Sequence, residues 1–211
     1  MEIKKLQLGE GELIYIPRWA DDPDMLYREA RKLSFTPEVV TMYGKENTIE
    51  RQTVDYGAEY SYNQTSKKSR EWEPLALAVR QKLEQQTGRQ LIQCACNWYV
   101  SPTAYIGAHC DKNTPINGVS TPPNLILSLS LGSLRKMVFR PIYPGQEGSK
   151  KTNHLATMAD VAREKDAVVL DLEPGSLVFF DGMVNHSWKH AIPKDSAASG
   201  DRISLTYREF K

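Results

Sequence analysis

From Leu91 to its C-terminus the chain is a succession of short apolar or alternating runs separated by turn-rich segments, and this pattern limits the fold more than any other feature. The runs are Leu91 to Val100, Tyr105 to Asp111, Leu125 to Leu131, Lys136 to Arg140, Ala167 to Leu172, Ser176 to Phe180, Ser187 to Ile192 and Arg202 to Phe210. Each is short and lies next to turn-rich segments, which marks it as a strand. Strands at this spacing bury their apolar faces by pairing into two stacked antiparallel sheets. The expected fold class is α+β: a double-stranded β-helix, or jelly roll, over residues 91–211, preceded by N-terminal helices within one domain spanning 1–211.

The portion before Leu91 reads differently. Leu13, Ile14, Tyr15 and Ile16 form a short strand that stops at Pro17. Asp21 or Asp22 can cap a helix with Pro23 in its first turn, running through Met25, Leu26 and Ala30 to about Leu33. Thr41 to Ser66 is polar and aromatic without a helical period, so strands and loops are expected. Trp72 to about Gln86 carries Leu75, Leu77, Ala78 and Leu83, and Gly88 supplies a stop.

Charge excludes some functions. Lys plus Arg number 27 against 26 Asp plus Glu, which argues against a general coat for nucleic acid and leaves room for a local basic patch. No run approaches the ~20 apolar residues of a membrane span, and Met1 to Glu12 lacks the apolar core of a secretory signal. Cys94, Cys96 and Cys110 form neither a disulfide framework nor a paired zinc motif. Cys94 and Cys96 are expected on one strand face as small apolar residues. A reduced, intracellular, soluble protein is expected, cytoplasmic or nuclear according to its host, monomeric and without an obligate protein partner.

The chemistry starts at His109-Cys110-Asp111. Residues two apart on a strand share a face, so His109 and Asp111 are expected to project together. An imidazole and a carboxylate joined by a second, distant histidine make the facial triad of non-haem iron(II) oxygenases, which keeps positions open for substrate and oxygen. Taken alone the pair is a weak signal. A second signal comes from Arg202 to Arg208, which alternates with period two. Arg202, Ser204, Thr206 and Arg208 occupy one face; Ile203, Leu205 and Tyr207 occupy the other. Two guanidiniums with hydroxyls between them suit a dicarboxylate, because Arg binds carboxylate through a planar fork. The plain alternative is a surface strand with its polar face in solvent. An iron site and a dicarboxylate site in one small jelly roll suggest 2-oxoglutarate as cosubstrate.

These residues resemble the AlkB family of dealkylating 2-oxoglutarate dioxygenases. The resemblance runs from about Arg51 to Arg208 and is strongest from Asn97-Trp98-Tyr99 to Asp111 and from Trp188-Lys189-His190 to Arg208. It implies Fe(II), 2-oxoglutarate and O2 as cofactor and cosubstrates. It implies that His109, Asp111 and His190 bind the iron. Arg202 and Tyr99, with Ser204 nearby, would hold the distal carboxylate of 2-oxoglutarate; Arg208 and Asn97 would steady its chelating end; Thr206 would line the pocket. His186 competes with His190 only if that stretch is helical; Ser187 to Ile192 reads as a strand, so His190 is preferred. His154 lies in a polar loop.

The resemblance also implies a substrate. Arg51 to Gly57 and Tyr60 to Asn63 are similar to the nucleotide-recognition lid of the family's repair members, which places a lid at about residues 40–70. Tyr62 would stack on a flipped base opposite the His109 imidazole, and Tyr60 would shape the pocket wall. The tyrosines could equally be sandwich packing. Arg51, Lys67, Lys68 and Arg70 are candidates for phosphate contacts, and Gly145 to Lys151 is a candidate flap. One departure is Asn113, which stands where many repair members carry an acidic side chain reading the base; its amide both donates and accepts, whereas a carboxylate only accepts. The expected activity is oxidative demethylation of N-alkylated bases in DNA or RNA, of the 1-methyladenine and 3-methylcytosine type, with 2-oxoglutarate decarboxylation and formaldehyde release. The alternatives are an iron(II)/2-oxoglutarate oxygenase acting on a protein or small molecule and, more remotely, a non-catalytic jelly-roll binding module.

Overall fold

The computed structural model describes residues 2–42, 45–58, 60–62, 65–67, 70–143, 145 and 156–211, and the side chains at 40–42, 45, 60–62 and 65–67 lie outside that description. The chain opens with strands β1 (Lys4–Leu8) and β2 (Gly11–Ile16), then helix α1 (Pro23–Ala30), β3 (Thr36–Met42), β4 (Lys45–Gly57), β5 (Tyr60–Tyr62), β6 (Thr65–Lys67) and helix α2 (Pro74–Thr87). It continues with β7 (Gln93–Tyr99), β8 (Ile106–His109), β9 (Thr114–Ile116), β10 (Val119–Thr121), β11 (Pro123–Gly132) and β12 (Arg135–Pro141). The last elements are α3 (Met158–Val161), β13 (Val168–Leu172), β14 (Leu177–Asp181), α4 (Gly182–Ser187), β15 (Trp188–Ile192) and β16 (Arg202–Phe210).

An eight-stranded sheet runs β1-β2-β14-β11-β16-β7-β4-β3, and a four-stranded sheet runs β13-β12-β15-β8. The ladders are antiparallel, in an arrangement consistent with a jelly roll. Period-two alternation explains why the large sheet buries both faces. Ile203, Leu205 and Tyr207 of β16, with Cys94 and Cys96 of β7, join a core that includes Ala76, Val79 and Leu83 of α2 and Ala30 of α1. On the opposite face Tyr99, Ile126, Val178 and Phe180 meet Met137, Phe139, Leu170 and Ile192 of the small sheet. The result is three layers: helices, large sheet, small sheet.

Both helices follow their local signals. The Asp22 carboxylate accepts from the Met25 amide 2.8 Å away and Pro23 opens α1. This helix ends at Ala30, short of Leu33, because the amides of Lys32 and Leu33 turn back onto the carbonyls of Glu29 and Ala30. Leu33 still reaches the core at 7% exposure. In α2 the buried positions Ala76, Val79 and Leu83 lie three and four apart and Gly88 is the C-cap; of the expected apolar positions only Leu83 is fully buried, while Leu75 and Leu77 are half-buried and Ala78 is exposed.

The sequence pattern did not expose every strand. β1 and the hairpin of β9 and β10 lie outside the expected runs. The hairpin turn is Asn117-Gly118, with φ of 50° and 79°, the pair of positive angles that a two-residue type I′ turn needs. β8 is also shorter than expected: it stops at His109, so Asp111 is not on the strand.

Candidate active site

The polar face of β16 and its neighbour β7 form the floor of a cavity between the two sheets. Register sets Arg202 opposite Tyr99, Ser204 opposite Asn97, Thr206 opposite Ala95 and Arg208 opposite Gln93. All of these line the cavity, as do His109, Asp111 and His190. Two strands of the small sheet bring the histidines together: His190 of β15 is the register partner of His109 of β8, and their ring centroids are 4.3 Å apart.

Asp111 joins them from beyond the strand. Its Oδ1 lies 3.5 Å from His109 Nε2 and 3.6 Å from His190 Nε2, and ligand atoms from the three residues all fall within 4.8 Å of one another. The same-strand expectation for His109 and Asp111 is therefore corrected in its reason: the two converge, but by a turn after β8. Asn185 of α4 holds that turn. The Asp111 amide donates to Asn185 Oδ1 at 2.8 Å, and Asn185 Nδ2 donates to the Asp111 carbonyl at 3.0 Å.

The electrostatics of the triad follow from its burial. Burial pushes the Asp111 carboxyl up, but the Arg208 guanidinium, with Nε 2.7 Å from Oδ2, and the two imidazoles outweigh it and hold the group well below the usual carboxylate range. Burial, then the neighbouring His109, lowers the His190 pKa. A neutral His190 suits ligation, since a protonated imidazole has no lone pair to give. His109 Nδ1 lies 2.8 Å from the Gly107 carbonyl; a carbonyl only accepts, so the ring proton sits on Nδ1 and Nε2 faces the site with its lone pair. Two imidazoles and an ionised carboxylate fit a divalent iron with further positions open.

Arg202 supplies the other half. It is 1% exposed, and its Nη2 donates to Ser130 Oγ at 2.9 Å. Among the described residues its Nε and Nη1 have no hydrogen-bond partner. Burial lowers its pKa to about 10, against the opposing pull of Tyr99, whose ring centroid is 5.2 Å from the guanidinium. A buried cation with these two donors open and, among the described residues, no ion-pair partner fits an anionic ligand. Ser204 is buried next to it in the strand, and the Thr206 and Ser128 hydroxyls are 3.1 Å apart.

Other expected residues lie elsewhere. Arg51 is 3% exposed, and its Nε and Nη2 pair with Glu38 across the β3 and β4 hairpin, so it lines the cavity and is not presented to phosphates. Asn113 is exposed, donates to Ser120 Oγ at 3.2 Å in the β9 and β10 hairpin, and does not line the cavity; Lys112 does. His186 is exposed at the end of α4, while His190 lies on the following strand, so the two do not form a helical pair. Arg70 is exposed. The side chains of Tyr60, Tyr62 and Lys67, together with Lys68, His154 and residues 146–151, lie outside the described residues.

Of three further contributing residues, two carry weaker signals and one carries none. Gln93 accepts from Arg208 Nη1 at 3.2 Å and shares the period-two face of Asn97 and Tyr99, where alternation points to it. Ser130 has the same signal on β11. Asn185 has none, being 74 positions from the residue it holds.

Comparison with known proteins agrees with this geometry. A model of the 2OG-Fe(II) oxygenase superfamily matches residues 24–208. Alpha-ketoglutarate-dependent dioxygenase alkB homolog 3 of Bos taurus is 26% identical over 160 residues, covering 75% of this chain and 51% of that protein. DNA oxidative demethylase ALKBH2 of Mus musculus is 25% identical over 174 residues, covering 81% and 66%. The chain spans about half the length of the alkB homolog 3 relatives it matches. Among solved structures, that of OsALKBH1 shares the fold with a TM-score of 0.59 at 16% identity, covering 99% of this chain and 100% of that one. Within the described residues no helix is long and apolar enough to cross a membrane.

Proposed function

This chain belongs to the 2OG-Fe(II) oxygenase superfamily, in its AlkB family, and from that premise we propose that it is a dioxygenase that demethylates N-alkylated bases of DNA or RNA, of the 1-methyladenine and 3-methylcytosine type. The observation that carries the reading is one cavity lined both by the His109, Asp111 and His190 cluster and by the buried, open-donor Arg202. The family uses Fe(II), 2-oxoglutarate and O2; bound here, they would supply the oxidant that hydroxylates an N-methyl group, with succinate, carbon dioxide and formaldehyde as co-products.

The residues prepare that chemistry. His109, Asp111 and His190 are the proposed ligands: Arg208 keeps Asp111 ionised and Gly107 fixes the His109 tautomer, so all three present lone pairs together. Arg202, with Tyr99 and Ser204 beside it, takes the distal carboxylate of 2-oxoglutarate. Arg208 and Asn97 flank its chelating end, and Thr206 closes the pocket wall.

For the substrate we propose a lid over about residues 40–70, with Tyr62 stacking on the extruded base opposite the His109 imidazole and Tyr60 at the pocket wall. Stacking returns about 1–3 kcal/mol per base, which offsets part of the few kcal/mol that extrusion costs. The printed names of the relatives, an alkB homolog and a DNA oxidative demethylase, support a nucleic-acid substrate. The chain is proposed to act as a single intracellular domain, monomeric, with nucleic acid as its partner. The ion pair of Arg51 and the outward Asn113 favour a second reading, in which the same iron chemistry serves a protein or small-molecule substrate. Succinate release measured against methylated oligonucleotides, unmethylated oligonucleotides, peptides and small metabolites decides between them. Stimulation by methylated oligonucleotides alone is the expected result; stimulation by peptides or metabolites alone would transfer the assignment to the second reading.

A further inference from the structure

We infer that Asn185, and through it the N-terminal hairpin of β1 and β2, sets the position of Asp111 in the metal site; this rests on the ligand set proposed above. β8 ends at His109, so the amide and carbonyl of Asp111 have no strand ladder to enter. The Asn185 side chain replaces the ladder. One amide group accepts from the Asp111 N–H and donates to the Asp111 carbonyl, the same two-bond exchange that a paired strand residue makes. Asn185 is 6% exposed, so the bonds are made from the buried side of the turn. It is a positioning residue: it reaches the backbone of the ligand, not the reacting atoms.

Asn185 is in turn held by the hairpin. It sits on α4, whose N-cap Asp181 accepts from the Val184 amide through Oδ1 at 2.9 Å. The other carboxylate oxygen, Oδ2, accepts from the Glu12 amide at 2.9 Å, tying α4 to β2. Gly11 makes that approach possible. A Cβ there would stand 2.6 Å from Asp181 Oδ1 and 2.6 Å from Val184 N, contacts that real side chains do not make. Residues 4–16 lie outside the segment 24–208 matched by the family model. The chain of contacts thus runs from Gly11 to Asp181, to Asn185, to Asp111, and it carries support into the metal site from outside that segment.

Co(II) titration followed by visible absorption tests the inference without turnover. Wild-type protein should bind Co(II) at the triad. Asn185→Ala should weaken binding ~10–100-fold, and Gly11→Ala should weaken it roughly 2–30-fold in the same direction. Leu83→Ala, which opens a cavity in the helical layer, should lower the unfolding midpoint of the metal-free protein and keep wild-type Co(II) affinity. Wild-type affinity in Asn185→Ala, or an equal loss in Leu83→Ala, would overturn the positioning role. Weak binding in Asn185→Ala with normal binding in Gly11→Ala would remove the hairpin from it. A wild-type protein that binds no Co(II) would overturn the ligand set itself.

Discussion

Arg202 is the residue at which stability and function pull apart. Burial lowers its pKa from the ordinary guanidinium range to about 10, a charge-burial cost of about 3 kcal/mol. Its charge-assisted hydrogen bond to Ser130 returns about 1.5–3 kcal/mol, at most the cost of the burial. Arg202→Met should therefore raise the melting temperature, or leave it unchanged, while 2-oxoglutarate binding measured by calorimetry weakens at least ~10-fold, the loss of one charge-assisted contact. A melting temperature several degrees lower would contradict this. The pH dependence has a definite sign. The folded pKa lies below the unfolded one, so from about pH 10 up to the ordinary guanidinium range the unfolded chain binds more protons and this residue's contribution to stability rises with pH. Affinity for 2-oxoglutarate should fall over the same window as the guanidinium loses its charge, a trend that titration calorimetry at stepped pH can follow.

At the scale of elements, Asp201 ties three of them together. Its carboxylate accepts from Tyr27 of α1 and from Trp98 Nε1 of β7 at 2.6 Å, immediately before β16 begins. Asp201→Ala should destabilise the protein by about 2–5 kcal/mol, since two hydrogen bonds to a charged group are lost, and denaturant unfolding would read it. Burial and the Asp201 carboxylate push the Tyr27 hydroxyl up to about 12. Being raised in the folded state, it contributes stability that is present below pH 10 and lost as pH climbs towards 12. Asp201→Ala should flatten that part of the stability profile; an unchanged profile would detach the Tyr27 shift from Asp201. Elements with strict periodicity were legible in the sequence. β16 showed its two faces outright, whereas α2 was legible in extent but not in face: of the apolar positions expected there only Leu83 is fully buried, and Ala76 and Val79 complete the core stripe. What was hidden depends on partners far along the chain. Asp111 reaches the triad through Asn185 rather than through strand geometry, and Arg51 is turned inward by Glu38 on a neighbouring strand. The Asn117-Gly118 turn was readable but short, with three residues on either side.

For the whole molecule, the layered arrangement makes ligands part of the fold's stability. The triad draws on β8, β15 and the turn held by α4, while Arg202 draws on the large sheet, so ligands filling the cavity bridge both sheets. Binding to the folded state alone stabilises by mass action, about 2.7 kcal/mol at a hundredfold excess over Kd. Divalent metal and 2-oxoglutarate together should thus raise the melting temperature by roughly 5–10 °C for a chain of this size, and by less in Arg202→Met. An equal shift in the variant would place the 2-oxoglutarate site elsewhere. The central claim, that this cavity carries out oxidative demethylation, is tested most directly by the mass of an oligonucleotide bearing 1-methyladenine or 3-methylcytosine after incubation with iron-loaded protein, 2-oxoglutarate and O2. The account predicts loss of one methylene unit, absent in His190→Ala. An unchanged oligonucleotide mass, with iron bound and succinate formed, would contradict the nucleic-acid assignment; no succinate at all would contradict the catalytic one.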